Sequence, residues 1–246
     1  MTTNLERDRN QQRLSFGQAA AAYDEIRPSY PREAVAWSLD GHDRTVLDLG
    51  AGTGLLTRVI GQVAETVIPV EPDSGMRAQL EARTPGVIAR AGSAEQIPAD
   101  DSSIDAVLAG QAYHWFDHEK AHVEIARVLK PGGVFAPIWN IRDERVAWVQ
   151  ALSDAFEGRA MPGYNRQVEK ATFGDLFGPV EARRFDHSVT TTADGMVALM
   201  SSRSYFLTAD DDTRQAMTAK VRDLVAPLGD QFELPYVTYC FRAYKL

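Results

Sequence analysis

The chain has a single cysteine, Cys240, in 246 residues, which excludes an intramolecular disulfide and the small crosslinked scaffolds that depend on one. No apolar run approaches the ~20 residues that a membrane-spanning helix needs. The opening stretch, Met1 to Asn10, lacks the apolar core of a signal peptide, so the expected location is cytoplasmic and no membrane partner is expected. Basic residues are in the minority, 26 against 34 acidic, giving a net charge of −8 and a pI near 5.2. A surface of that sign repels phosphate backbones. The nearest approach to a basic run, Arg7, Arg9 and Arg13, is interleaved with Glu6 and Asp8, so nucleic acid is not an expected partner either. What remains is 44% hydrophobic and 24% charged, the balance of an ordinary globular chain long enough to bury a core unaided.

From about residue 44 onward, β-rich runs alternate with helical patterns. Thr45 to Leu49 reads as a strand. Leu56, Val59, Ile60 and Val63 then recur at helical spacing. Thr66 to Glu71 reads as a second strand, followed by a helix with Ser74 as N-cap running to Arg83. Val87 to Ala91 and Ile104 to Ala109 read as the third and fourth strands. Asp117 can cap a helix ending near Lys130, stopped by Pro131-Gly132-Gly133, and Val134 to Trp139 reads as the fifth strand. Such alternation predicts a parallel sheet covered by helices on both faces. Beyond it, Glu144 to Phe156 and Asp212 to Leu228 read as helices, and Glu181 to Thr190 and Tyr236 to Tyr244 as two further strands. The reading is one domain over residues 1–246, with a core at about 42–140, an N-terminal lid at about 1–35 and a helical insert at about 192–235.

The segment Val46 to Gly54 (VLDLGAGTG) carries the most chemical information, since it runs from a strand through glycines into a helix. Glycines at 50 and 52 allow a sharp turn and close ligand approach. A dinucleotide fingerprint would need glycine at the sixth position from Gly50, where Leu55 stands. Asp48 places negative charge where a pyrophosphate would lie, whereas a ligand carrying an ammonium and a sulfonium would be favoured there. Glu71 closes the second strand, where a carboxylate can accept both hydroxyls of an adenosine ribose.

VLDLGAGTG followed by VEPD resembles the first motifs of class I S-adenosylmethionine-dependent methyltransferases. GSAEQIP, IDAVLAGQAYHWFD and LKPGGVF resemble their later motifs, in the same order. FGQAAAAYDEIRPSYP, SRSY and ELPYVT resemble the small-molecule subgroup that includes methyltransferase type 11 and trans-aconitate methyltransferase-like proteins. The resemblance implies a Rossmann-like, doubly wound α/β fold with a mostly parallel seven-stranded sheet, an antiparallel last strand and helical lid insertions. It implies S-adenosyl-L-methionine as cofactor and methyl transfer to a small molecule by in-line displacement. It further implies that Asp48, Gly50, Ala51 and Gly52, with Thr53 and Gly54 in the same turn, hold the methionine part, and Glu71 the ribose. Pro72 and Met76 would lie against adenine, Ser93, Ala94 and Glu95 at the base edge and Gln111 beside the methionyl portion, with Tyr23 of the N-terminal lid a further cofactor contact.

His114 follows the fourth strand at the edge where α/β enzymes do chemistry. Its ordinary pKa suits a general base, though it could equally shape the pocket. Arg27, Tyr30, Trp115, Trp139, Arg203 and Tyr205 are candidate substrate contacts, each also readable as packing or solvated surface. His118-Glu119-Lys120-Ala121-His122 matches the zincin pattern HExxH. No third ligand accompanies it, and the inward stripe of its helix is Ala121, Ile125, Val128 and Leu129, which leaves the histidines at the rim or the solvated side, so no metal is expected. The rival readings are a protein that binds S-adenosylmethionine without methylating, a nicotinamide-dependent oxidoreductase and a nucleic-acid methyltransferase.

Overall fold

The computed structural model describes residues 27–156 and 172–246. Its elements are α1 (Arg32–Leu39), β1 (Thr45–Leu49), α2 (Leu55–Ile60), β2 (Thr66–Val70), α3 (Ser74–Arg83), β3 (Ile104–Gly110), a 3-10 turn (Tyr113–Trp115), α4 (His118–Val128), β4 (Leu129–Arg142), α5 (Ala147–Asp154), β5 (Glu181–Thr191), α6 (Ala193–Ser201), α7 (Ser204–Leu207), α8 (Asp211–Val225) and β6 (Phe232–Tyr244). The strands form one sheet in the order β2-β1-β3-β4-β6-β5. β1 lies parallel to β2 and β3, and β3 to β4. The backbone bonds from Asp143 to Pro235 and from Lys245 to Gly133 descend one strand as they climb the other, so β6 runs antiparallel to β4. The chain divides into a larger unit, residues 29–140, 171–185 and 238–246, and a smaller one, residues 1–28, 141–170 and 186–237.

In the larger unit the apolar periodicity does what the sequence suggests. Val46, Ala106, Leu108, Val134, Ala136 and Ile138 from the strands bury against Leu56, Val59 and Ile60 of α2 and Ala34, Val35 and Leu39 of α1. Each large side chain so buried contributes roughly 1.5–3 kcal/mol of transfer free energy. Cys240 belongs to the same cluster, fully buried, and burial pushes its thiol up to about 12. The smaller unit has its own core, in which Val149 and Leu152 of α5, Met196, Leu199 and Met200 of α6, and Met217, Val221 and Val225 of α8 pack together.

Four expectations need correction. The run Val87 to Ala91 is not a strand, and six strands stand where seven were expected. Only the Val70–Arg90 bridge remains, because the Ala89 N–H donates to the Glu81 side chain at 3.0 Å and not to a neighbouring strand. The N-cap of α3 is Asp73, whose carboxylate accepts from the Met76 N–H. Helix α4 ends at Val128, before Pro131-Gly132-Gly133, and those residues fall within β4 at a register shift between Ile104 and Ala106. His122 does not lie at the rim. It is half-buried among Phe135, Phe173 and Phe177, while His118 is exposed.

Candidate functional site

The strand order reverses at β1, whose successor β2 lies on one side and β3 on the other. Ligands of open α/β sheets bind beyond the carboxyl ends of the strands at such a point. There the loop after β1 is tied down by two backbone bonds, from the N–H groups of Gly50 and Ala51 to the Val70 carbonyl, at 2.9 and 3.1 Å. Gly50 has φ 72°, and a Cβ on it would stand 2.7 Å from the Ala112 side chain, so close packing demands the glycine. Gly52, at φ 56°, is different, because a Cβ there would meet nothing within 4 Å. Its lack of a side chain leaves a cradle open above the loop. Gly54 takes the left-handed N-cap position of α2, and Thr53 is buried with its carbonyl accepting from Arg58 at 3.0 Å.

Glu71 underpins the loop. One carboxylate oxygen accepts the Gly52 N–H and the other the Asp73 N–H, both at 2.9 Å. Asp48 lies fully buried beneath it, with Oδ2 accepting from the Thr57 hydroxyl at 2.6 Å. Its Oδ1 has no hydrogen-bond partner among the described residues, an uncommon state for a buried oxygen. Burial, and secondarily the charge of Glu71, push the Asp48 carboxyl up to about 7. A cationic group near Asp48 would stabilise its charged form. An open glycine cradle, an orphaned carboxylate oxygen and a second carboxylate at the end of β2 fit a cofactor with a positively charged amino-acid part and a ribose.

The remaining cofactor candidates in this unit sit on well-braced backbone. Met76 and Ala94 are buried, and Pro72 is exposed. The Ser93 hydroxyl accepts from the Glu95 N–H at 3.3 Å, and the Glu95 carboxylate accepts from the Asp117 N–H at 2.9 Å. Arg127 pins the same loop by donating to the carbonyls of Ile97 and Ala99, while Glu124 takes the Ile97 N–H. Gln111 adopts φ 55° directly after β3, a costly conformation for a residue with a side chain. Its side chain donates to the Asn140 carbonyl at 2.8 Å.

Of the candidate substrate contacts, Tyr30, His114, Trp115 and Trp139 belong to the larger unit, and Arg27 and Arg203 to the smaller. Tyr30 is buried with its hydroxyl over Gly110, 2.7 Å from where a Cβ would stand. His114 and Trp115 are half-buried on the 3-10 turn, their rings 4.8 Å apart, and Trp139 is buried with its ring 6.1 Å from Tyr113. Tyr205 is part of α7, and Tyr23 lies outside the described residues.

A model described as a methyltransferase domain matches residues 47–136. An uncharacterized methyltransferase of Mycobacterium tuberculosis is 41% identical over 94% of this chain and 95% of its own. The chain belongs to the methyltransferase family. A Saccharomyces cerevisiae relative carries S-adenosylmethionine dependence in its name and is 29% identical over 69% of this chain and 67% of its own. Among solved structures, a candidate type II methyltransferase from Anaeromyxobacter dehalogenans superposes with a TM-score of 0.71 at 25% identity, covering 89% of this chain and 97% of that one. The methyltransferase is thus an enzyme of the class I, Rossmann-like kind with S-adenosylmethionine as cofactor.

Three positions in this methyltransferase escaped the sequence reading. Thr57, which holds Asp48, is a polar residue on the buried face of α2 and could have been found as such. Asn140 gathers several segments: its amide donates to the Ser29 carbonyl at 3.1 Å, its side-chain oxygen accepts from Thr238 at 2.6 Å, and its carbonyl takes Gln111. No short-range pattern signals contacts so distant in sequence. Tyr113 was passed over for its neighbour His114, although its hydroxyl bonds His122 Nε2 at 2.8 Å.

Proposed function

We propose that the chain methylates a small-molecule acceptor. The observation that carries the cofactor half of this reading is the Gly52 cradle set over Asp48 and Glu71. The small size of the acceptor is supported by the net charge of −8 and the lack of any basic run. Asp48 and the backbone of Gly50, Ala51, Gly52, Thr53 and Gly54 would hold the amino-acid end of the cofactor, and Glu71 its ribose. Pro72, Met76, Ser93, Ala94 and Glu95 would frame the base, and Gln111 would border the methionyl part. S-adenosylmethionine, when bound, supplies an electrophilic methyl group with its own leaving group. The protein's share is then alignment and exclusion of water. His114 would either take the acceptor's proton or shape the cavity, and Tyr30, Trp115 and Trp139 would wall it.

The test has two stages. Calorimetry should show S-adenosylmethionine binding and far weaker binding of NAD, and tighter NAD binding would discard the cofactor reading. Protein incubated with methyl-labelled cofactor and a cell extract should place the label in the acid-soluble, small-molecule fraction. Label recovered in RNA, DNA or protein would overturn the acceptor reading.

A further inference from the structure

The segment that carries Ser93, Ala94 and Glu95 belongs to none of the helices or sheet strands, and a stretch of that kind keeps one shape only if bonds from outside hold it. Ser93 and Gln96 exchange both backbone hydrogen bonds at 3.2 Å, which closes a turn with Ala94 and Glu95 at its tip. Helix α4 grips this segment at two places, all within the larger unit. At the start of the helix the Asp117 N–H occupies Glu95 Oε1 at 2.9 Å, so a ligand N–H would meet the second oxygen. In the last turn, Arg127 holds Glu124 through a paired contact, Nε to Oε1 and Nη2 to Oε2, both at 2.9 Å. The same guanidinium reaches back to the segment. Nη2 donates to the Ile97 carbonyl at 3.0 Å, and Nη1 to the Ala99 carbonyl at 2.9 Å and to Asp101 Oδ1 at 2.6 Å. Every N–H donor of the arginine is thereby used. Glu124 Oε2 also accepts the Ile97 N–H at 3.0 Å. Both backbone polar groups of Ile97, two residues beyond Glu95, are therefore held by this one ion pair.

We propose that Arg127 and Glu124 are positioning residues for base selectivity: by fixing Ile97 they hold the Ser93–Gln96 turn where Glu95 can take the amino group of adenine. The inference rests on the reading that Ser93, Ala94 and Glu95 frame the base. A carboxylate placed for an N–H donor rejects a carbonyl in the same spot, because two acceptors then face each other. Such rejection needs a fixed turn, since hydrogen bonds weaken steeply as distance and angle depart from ideal. Lysine cannot stand in for Arg127, because its ammonium has three donors and no planar fork to meet a carboxylate and two carbonyls together.

The test is calorimetry on the full chain with two ligands. One is S-adenosylhomocysteine, the demethylated cofactor, and the other S-inosylhomocysteine, in which a carbonyl replaces the adenine amino group. Wild type should bind the first roughly ten- to hundredfold tighter, the worth of a hydrogen bond to a charged group. Arg127→Lys and Glu124→Gln should each lose about tenfold in affinity for S-adenosylhomocysteine and keep the affinity for S-inosylhomocysteine. Melting temperatures of the same samples show which variants fold, and either folded variant decides the matter. A pair that merely staples helix to loop would weaken both ligands by one factor and leave the ratio alone. The proposal is overturned by that result, by a wild-type ratio in both variants, or by the failure of both to fold. Equal binding of the two ligands by wild type would overturn the base reading itself, so the two fail apart.

Discussion

Asp48 holds a proton that most carboxyl groups would have lost. The unfolded chain releases it near pH 4 and the folded chain only near 7, so the folded state binds the extra proton between those values. Its contribution is therefore destabilising, and it develops as pH rises from 4 through 7. As pH rises over that window, the melting temperature of the ligand-free protein should fall relative to that of Asp48→Asn. If Asp48 meets the cofactor's ammonium, binding below pH 7 must expel the proton. Calorimetry at pH 6 in buffers of different ionisation enthalpy should show this, and a buffer-independent heat would detach Asp48 from the cofactor. Glu71 acts on both backbone and ligand. Glu71→Ala should cost cofactor binding about 1.5–3 kcal/mol and also lower the melting temperature, because the Gly52 and Asp73 N–H groups lose their acceptor. Unchanged affinity in that variant would remove the ribose assignment. Asp48 and Glu71 were legible in sequence because a strand-loop-helix motif fixes their positions. The mate of Asp48, Thr57, was not, since the motif says nothing of which helix residue turns inward.

At the scale of elements, the strands with unbroken apolar runs were easily read, and Thr45–Leu49 has the expected bounds. The expected strand at Val87 to Ala91 failed because a side chain, Glu81, took a ladder donor, a competition that periodicity does not register. The histidines of α4 misled in another way. Helical spacing placed both outside, but Phe173 and Phe177, about 50 residues away in sequence, reach across to enclose His122. That packing, and secondarily His118, pushes His122 down to about 4. The unfolded chain takes up this proton near pH 6.5, so the stability gained from a neutral His122 is present above that pH and is lost as pH falls toward 4. As pH falls across 6.5–4.5, the wild-type melting temperature should fall relative to that of His122→Asn, which cannot gain the charge. Equal slopes would mean that the Tyr113–His122 contact opens before it titrates. The contact also braces the 3-10 turn that carries His114, so the candidate base depends on a residue one helix away.

For the whole molecule, the alternation of strands and helices and the order of motifs pointed to the fold class and the family, both of which the wider comparisons support. The division into two units was not legible, because each of the long strands β4 and β6 starts in one unit and ends in the other, and sequence patterns mark strands more readily than the membership of their halves. The lone cysteine gives the molecule a chemical clock. Cys240 lies at zero exposure in the larger unit's core, and a thiol held near pKa 12 is almost never thiolate at neutral pH, so a thiol reagent can mark it only while that core is open. Labelling should be far slower than for an exposed thiol and should come within reach of the mixing rate only in denaturant. S-adenosylmethionine should slow it further, by the factor with which the ligand stabilises the closed state. A labelling rate indifferent to saturating cofactor would mean that the core opens without disturbing the ligand site. The wild-type chain thus reports its own opening, with no engineered probe.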